Sequence, residues 1–142
     1  MSKVAVVYWS GTGNTKSMAT LVKEGAESAG AEAVLFAASK FSADQMDSFD
    51  AIAFGCPSMG DEVLEESEFE PMFSDCEAKL QGRKIVLFGS YGWGDGEWMR
   101  NWEETCRKDG AYFACDYVIC NEEPDKEAQE ACREMGKALA GA

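Results

Sequence analysis

Six consecutive residues, Ser10-Gly11-Thr12-Gly13-Asn14-Thr15, carry three hydroxyls, one amide and two glycines, with no positive charge until Lys16. They follow an apolar, strand-forming run, Val4-Ala5-Val6-Val7-Tyr8-Trp9, and precede a helical pattern. The first N–H groups of a helix have no intrahelical partner and lie at the positive end of its dipole, so they bind phosphate well. Glycines 11 and 13 let the backbone approach an anion closely. The expected chemistry is a phosphate held by hydrogen bonds rather than by ion pairs. Two familiar phosphate motifs are excluded. A G-x-x-x-x-G-K-[ST] loop needs glycine immediately before Lys16, where Thr15 stands. A G-x-G-x-x-G fingerprint from Gly11 would place its third glycine on Lys16. The plain alternative is a tight strand-to-helix turn with an N-cap.

Two further loops suit a flat ring. In Cys56-Pro57-Ser58-Met59-Gly60-Asp61-Glu62, the Met59 thioether suits packing on an aromatic face. Gly60 lets its peptide turn over at little cost, and Glu62 can accept a hydrogen bond from a ring N–H. Taken alone, this is an acidic loop. In Ser90-Tyr91-Gly92-Trp93-Gly94-Asp95-Gly96, glycines thread an aromatic pair. A flat partner stacked on Trp93 explains that composition; a glycine-rich turn with Trp93 tucked into the core is the competing reading. Asp61, Glu62, Glu65, Glu66, Glu68, Glu70, Asp95 and Glu97 crowd these loops. Two charges about 10 Å apart interact by roughly 1–2 kcal/mol at an effective dielectric near 20. Such carboxylates disfavour adding negative charge to a bound ring, which makes the reduced protein a strong reductant.

The elements that must position these loops alternate along the chain. Strands are expected at 4–9, 33–37, 51–55, 85–90 and 112–120. Those at 4, 51 and 85 are apolar on successive residues, as in a parallel sheet covered on both faces. Met18, Leu21, Val22, Gly25, Ala26 and Ala29 fall on one helical face. Trp98, Trp102 and Cys106 form a second stripe, and Ala128, Ala131, Cys132, Met135 and Leu139 a third. A further helix is expected over 69–80, and a loop with one helical turn over 39–48. The pattern predicts an α/β fold, a doubly wound five-stranded parallel sheet of order 2-1-3-4-5 with helices on both faces, as one domain over 1–142.

Composition narrows the function. Aspartate and glutamate number 26 against 13 lysines and arginines, a net charge of −13, and there is no histidine. That field repels nucleic acid and anionic membranes and attracts basic protein surfaces. The usual general base near neutral pH is missing, and so is the commonest metal ligand. No two of the six cysteines form a C-x-x-C pair, and most are expected to be small buried apolar residues. With neither a signal-peptide layout nor an apolar run of spanning length, a cytoplasmic location is expected.

At the three loops the sequence resembles a flavodoxin of the short-chain type. Residues 10–15 resemble that family's FMN phosphate loop, 59–62 the loop on the inner flavin face, and 91–96 the loop whose tryptophan stacks on the outer face. The last strand pattern lacks the long insertion of the long-chain type. The resemblance implies non-covalent FMN and low-potential one-electron transfer between redox enzymes, with the flavin moving between semiquinone and hydroquinone. It implies that Ser10, Gly11, Thr12, Gly13, Asn14 and Thr15 hold the phosphate. Met59, Gly60, Asp61, Glu62, Ser90, Tyr91, Gly92 and Trp93 then surround the ring, with Pro57, Ser58 and Gly94 completing the set. In the family, the peptide at Gly60 would flip on one-electron reduction. Ligands of such sheets sit outside the C-terminal strand ends where the strand order reverses, a rule of which flavodoxin is itself a standard example. The expected partners are reductases and electron-accepting enzymes with basic docking surfaces, met by a monomer. The competing functions are an FMN-dependent oxidoreductase such as a flavodoxin-like quinone reductase, and a flavin-free receiver domain. A receiver needs an acidic pocket with an aspartate just after the third strand, where Gly55-Cys56-Pro57 stands.

Overall fold

The computed structural model describes residues 2–11, 13–59, 63–92 and 94–141. A parallel sheet forms its centre. β1 (Lys3–Tyr8) lies between β2 (Glu32–Ala37) and β3 (Ala51–Gly55), and β4 (Lys84–Tyr91) lies beyond β3. The order 2-1-3-4-5 matches the one read from the sequence.

The fifth strand differs from the continuous run expected over 112–120. It is split into β5 (Tyr112–Phe113) and β6 (Val118–Asn121), both parallel to β4. Phe113 pairs with Ile85 and Val118 with Phe88, so the edge holds two more residues than β4 does over the same stretch. An excess of two preserves the alternation of side chains, so both pieces present the same faces to the helices.

Period-two alternation divides the core. Val4, Val6, Ala53, Val86 and Phe88 face one side, under α1 (Asn14–Ser28) and α4 (Lys126–Gly141). Ala5, Val7, Ile52, Phe54, Ile85 and Leu87 face the other, under α2 (Phe69–Glu77) and α3 (Glu97–Lys108). The predicted stripes of α1 and α4 are largely buried, while Ala29 caps the end of α1 and is exposed. α2 stops short of the expected end, and Leu80 is buried beyond it. Two short 3-10 turns, Ala38–Lys40 and Ala43–Ser48, replace the single turn expected there. α1 and α4 pack backbone against backbone at Gly25 and Gly136, with no room for a Cβ at either.

Five of the six cysteines are buried, Cys115 is half-buried, and all six thiols are free. Burial pushes Cys76 and Cys120 up to about 11 and Cys132 up to about 12, which leaves them protonated and unreactive.

Candidate functional site

The strand order reverses at β1, and the loops leaving β1, β3 and β4 meet there around a cavity of about 440 Å³. Backbone hydrogen bonds continue the strand pairing into the loops. Trp9 N–H donates to the Gly55 carbonyl (3.1 Å), Cys56 N–H to Phe88 (3.1 Å) and Ser58 N–H to Ser90 (3.0 Å). Glu122, just past β6, donates its N–H to the Tyr91 carbonyl at 2.7 Å.

Part of the lining is polar. Ser10, Gly11, Asn14 and Thr15 supply it at the mouth of α1. The Ser10 hydroxyl accepts the N–H of Gly13 (3.0 Å) and of Lys16 (3.3 Å), which curls the loop over the helix end. Gly13, at φ 100°, occupies the left-handed region, with open space where a side chain would stand. The buried hydroxyls of Thr15 and Ser90 lie 2.8 Å apart and tie the first turn of α1 to β4. Thr15→Val leaves the Ser90 hydroxyl short of a partner. We expect it to cost about 1–2 kcal/mol, read as a lower urea midpoint of the apoprotein, with a matching loss of cofactor affinity in a fluorescence titration.

Trp9, Pro57, Ser58, Met59, Tyr91 and Gly92 supply further walls, with the Trp9 ring against Gly11. Trp9 is fixed by its indole N–H donating to Glu68 at 2.9 Å. Met59 and Val63 exchange both backbone hydrogen bonds, each 2.9 Å, in an isolated antiparallel bridge.

Glu65 governs the rest of this loop. It is only 6% exposed. Its carboxylate accepts the N–H groups of Ser67, Glu68 and Phe69, each at 2.8 Å, and the Ser67 hydroxyl. Its own N–H donates to the buried Cys56 thiol (3.4 Å). The residue thus caps α2 from four positions before its first residue and pins the loop to the end of β3. Burial alone would push the Glu65 carboxyl up, but these hydrogen bonds outweigh it and hold it below the ordinary carboxylate range.

Ten of the residues singled out from sequence line the main cavity together: Ser10, Gly11, Asn14 and Thr15; Pro57, Ser58 and Met59; Ser90, Tyr91 and Gly92. Gly13 supports the loop from behind it, and Gly94, at φ 87°, lies off its wall. Thr12, Gly60, Asp61, Glu62 and Trp93 lie outside the described residues. Trp9, Glu122 and Glu123 also line the cavity and were not foreseen. Glu122, at φ 58°, is the one non-glycine residue in the left-handed region among those described. The break Asn-Glu-Glu-Pro after the last strand pattern was its only sequence signal. Lys16 does not line this cavity; it borders a neighbouring one with Tyr8, Ser39 and Glu68. Two carboxylates read as part of an open acidic rim are engaged. Asp95 pairs with Arg100 (3.0 Å), and Glu65 is enclosed by its hydrogen bonds.

The residues fit a ligand with an anionic tail and a flat apolar head. The volume lies in the range of cofactor pockets, and the lining combines hydroxyls and amides with aromatic and thioether groups. Among the described residues, no lysine or arginine lines the cavity. A family model described as flavodoxin matches residues 6–136. A flavodoxin of Clostridium beijerinckii is 46% identical over 135 residues, covering 95% of this chain and 97% of the relative. A flavodoxin of Megasphaera elsdenii is 45% identical over 139 residues, covering 98% and 99%. The solution structure of the two-electron reduced Megasphaera elsdenii flavodoxin superposes with a TM-score of 0.90 at 45% identity, covering 98% of this chain and 99% of that one. A flavodoxin from the domain Archaea does so with a TM-score of 0.84 at 27% identity, covering 97% and 96%.

Proposed function

This chain belongs to the flavodoxin family, electron carriers that bind FMN, and from that premise we propose how its own residues hold and tune the cofactor. Bound FMN supplies a centre that accepts and returns electrons one at a time. Ser10, Gly11, Thr12, Gly13, Asn14 and Thr15 hold the phosphate by hydroxyls and backbone N–H groups at the mouth of α1. Met59 and Trp93 cover the two faces of the ring. Gly60, Asp61, Glu62, Ser90, Tyr91, Gly92 and Gly94 border it, and Pro57 and Ser58 stand beside the ribityl chain. The apolar walls exclude water, which strengthens every electrostatic effect inside.

The observation that carries this reading is a cavity lined by Glu122 and Glu123 and by no described cation, in a chain of net charge −13. Negative surroundings oppose the uptake of an electron, so the carrier works at low potential. It serves as a single-domain, monomeric, cytoplasmic shuttle that meets basic surfaces of redox enzymes, and it has no substrate of its own. No helix of the described residues is long and apolar enough to cross a membrane.

Visible spectroscopy tests the proposal. Apoprotein titrated with FMN is expected to bind it one to one with quenched flavin fluorescence, and stepwise dithionite reduction should show two separated one-electron midpoints, the second well below that of free FMN. A preparation that ignores FMN overturns the reading of the cavity. Rapid NADH oxidation without an added reductase overturns the carrier in favour of an oxidoreductase.

A further inference from the structure

Trp98, in the first turn of α3, is 2% exposed and touches two of the three cofactor loops. Its indole N–H donates to the Cys56 carbonyl at 3.1 Å, inside the core. Its ring packs on Tyr91, with centroids 5.6 Å apart and planes at 52°. Cys56 opens the loop that brings Pro57, Ser58 and Met59 to the cavity, and Tyr91 lines the cavity from the end of β4. Trp98 is not itself among the lining residues, so its effect on a ligand passes through those it holds.

The contact is built into β4. Leu87 faces the side of the sheet under α2 and α3, and alternation along the strand turns Gly89 to the same side. A Cβ on Gly89 would stand 2.2 Å from the Cys56 carbonyl oxygen and 3.2 Å from Cζ2 of Trp98. The space that a side chain would take is filled by the carbonyl and by the indole that bonds it. The rest of Cys56 is fixed as well. Its N–H donates to Phe88 (3.1 Å), and its thiol accepts the N–H of Glu65 (3.4 Å). Pro57 has a locked φ and no N–H, so the orientation of the Cys56–Pro57 peptide sets the course of the chain into the cavity wall. Removing the indole donor leaves that buried carbonyl to find another partner by moving or by admitting water.

Trp102, one turn further along α3, supplies the contrast. It is 3% exposed and packs edge-on against Phe69 and Phe73. Its indole N–H has no hydrogen-bond partner among the described residues. Of these two buried tryptophans on one helix, Trp98 is bonded to a cofactor loop and Trp102 is not.

We propose that Trp98 is a positioning residue for electron transfer, a strut that holds the loop after β3 against the loop after β4 and so keeps water from the flavin. The proposal rests on the FMN-carrier reading. Water admitted beside the ring screens the negative surroundings that oppose electron uptake, so loosening the strut raises the lower of the two midpoints.

Trp98→Phe keeps an aromatic ring in the core and removes the N–H. In the FMN-loaded protein its lower one-electron midpoint is expected to rise by the equivalent of about a tenfold change in equilibrium constant, about 59 mV. Trp102→Phe removes a buried indole from the same helix. It should lower the urea midpoint to a similar extent while moving the redox midpoints by the equivalent of less than about twofold. A second readout needs no substitution. In the 15N-labelled parent, hydrogen exchange at the Trp98 indole is expected to slow about tenfold or more when FMN binds, and at the Trp102 indole less than about twofold. A Trp98→Phe midpoint that matches the parent's, or moves no further than that of Trp102→Phe, overturns the strut. So does a Trp98 indole no better protected with FMN than without it, and that comparison decides the matter alone if Trp98→Phe does not fold. Parent protein that binds FMN and gives two separated midpoints would show the carrier reading surviving either failure.

Discussion

Gly136→Ala is expected to destabilise the protein by about 3 kcal/mol or more, beyond the usual cost of overpacking a core because the clash is with backbone. A Cβ at Gly136 would stand 2.0 Å from the Val22 carbonyl oxygen and 2.7 Å from the Ala26 nitrogen. Gly25 is its counterpart, where a Cβ would stand 2.0 Å from the Arg133 carbonyl oxygen. Neither backbone can yield without moving a helix, and α1 carries Asn14 and Thr15 at its first turn. The effect therefore reaches the site. A fall in melting temperature of roughly 10 °C should accompany weaker FMN binding. Gly141→Ala, whose Cβ meets nothing within 4 Å, is the control and should leave both unchanged. A Gly136→Ala protein as stable as the parent would show that the two helices are not packed in this way.

Removing Glu65 is the second large effect expected. Glu65→Ala leaves the N–H groups of Ser67, Glu68 and Phe69 without their shared acceptor. Charge-assisted hydrogen bonds and helix caps each count for about 1–2 kcal/mol, and they overlap here, so a loss of about 3 kcal/mol is expected. The loop keeps its backbone hydrogen bond to the Cys56 thiol but loses the carboxylate that ties it to the start of α2, so FMN affinity should fall with stability. Glu65→Gln separates charge from shape. The folded carboxyl sits below its ordinary value, so its contribution is complete above the unfolded pKa and is lost as pH falls through the folded one. The stability difference between the parent and Glu65→Gln should therefore hold constant from about pH 8 to about pH 5 and shrink below that. Urea melts across that range decide it; a difference independent of pH down to 3 would rule out the ionised cap.

The loops that hold the cofactor were legible because their chemistry is local. Hydroxyls and glycines between a strand and a helix act through the backbone of the same few residues, so order along the chain is enough to read them. Successive apolar residues at 4–7, 51–54 and 85–88 likewise signal burial on both faces, because alternate side chains point to opposite sides. Glu65 was not legible. In the run Glu65-Glu66-Ser67-Glu68 it looks like one more solvated acid, and only the fold turns its carboxylate onto the N–H groups of a helix beginning four residues later. Gly25 reads only as one member of a helical face and Gly136 carries no signal of its own, for nothing along the chain reveals that their helices touch at these two positions, 111 residues apart.

The sequence by itself determined the alternation of strands and helices, the phosphate loop and the excess of negative charge, since each is set by neighbouring residues or by composition. Only the tertiary structure decided the split of the edge strand, the place of Trp9, Glu122 and Glu123 on the cavity, and the turn of Glu65 onto the start of α2. Those depend on which distant segments the sheet brings together, a matter of packing that no short stretch of chain encodes.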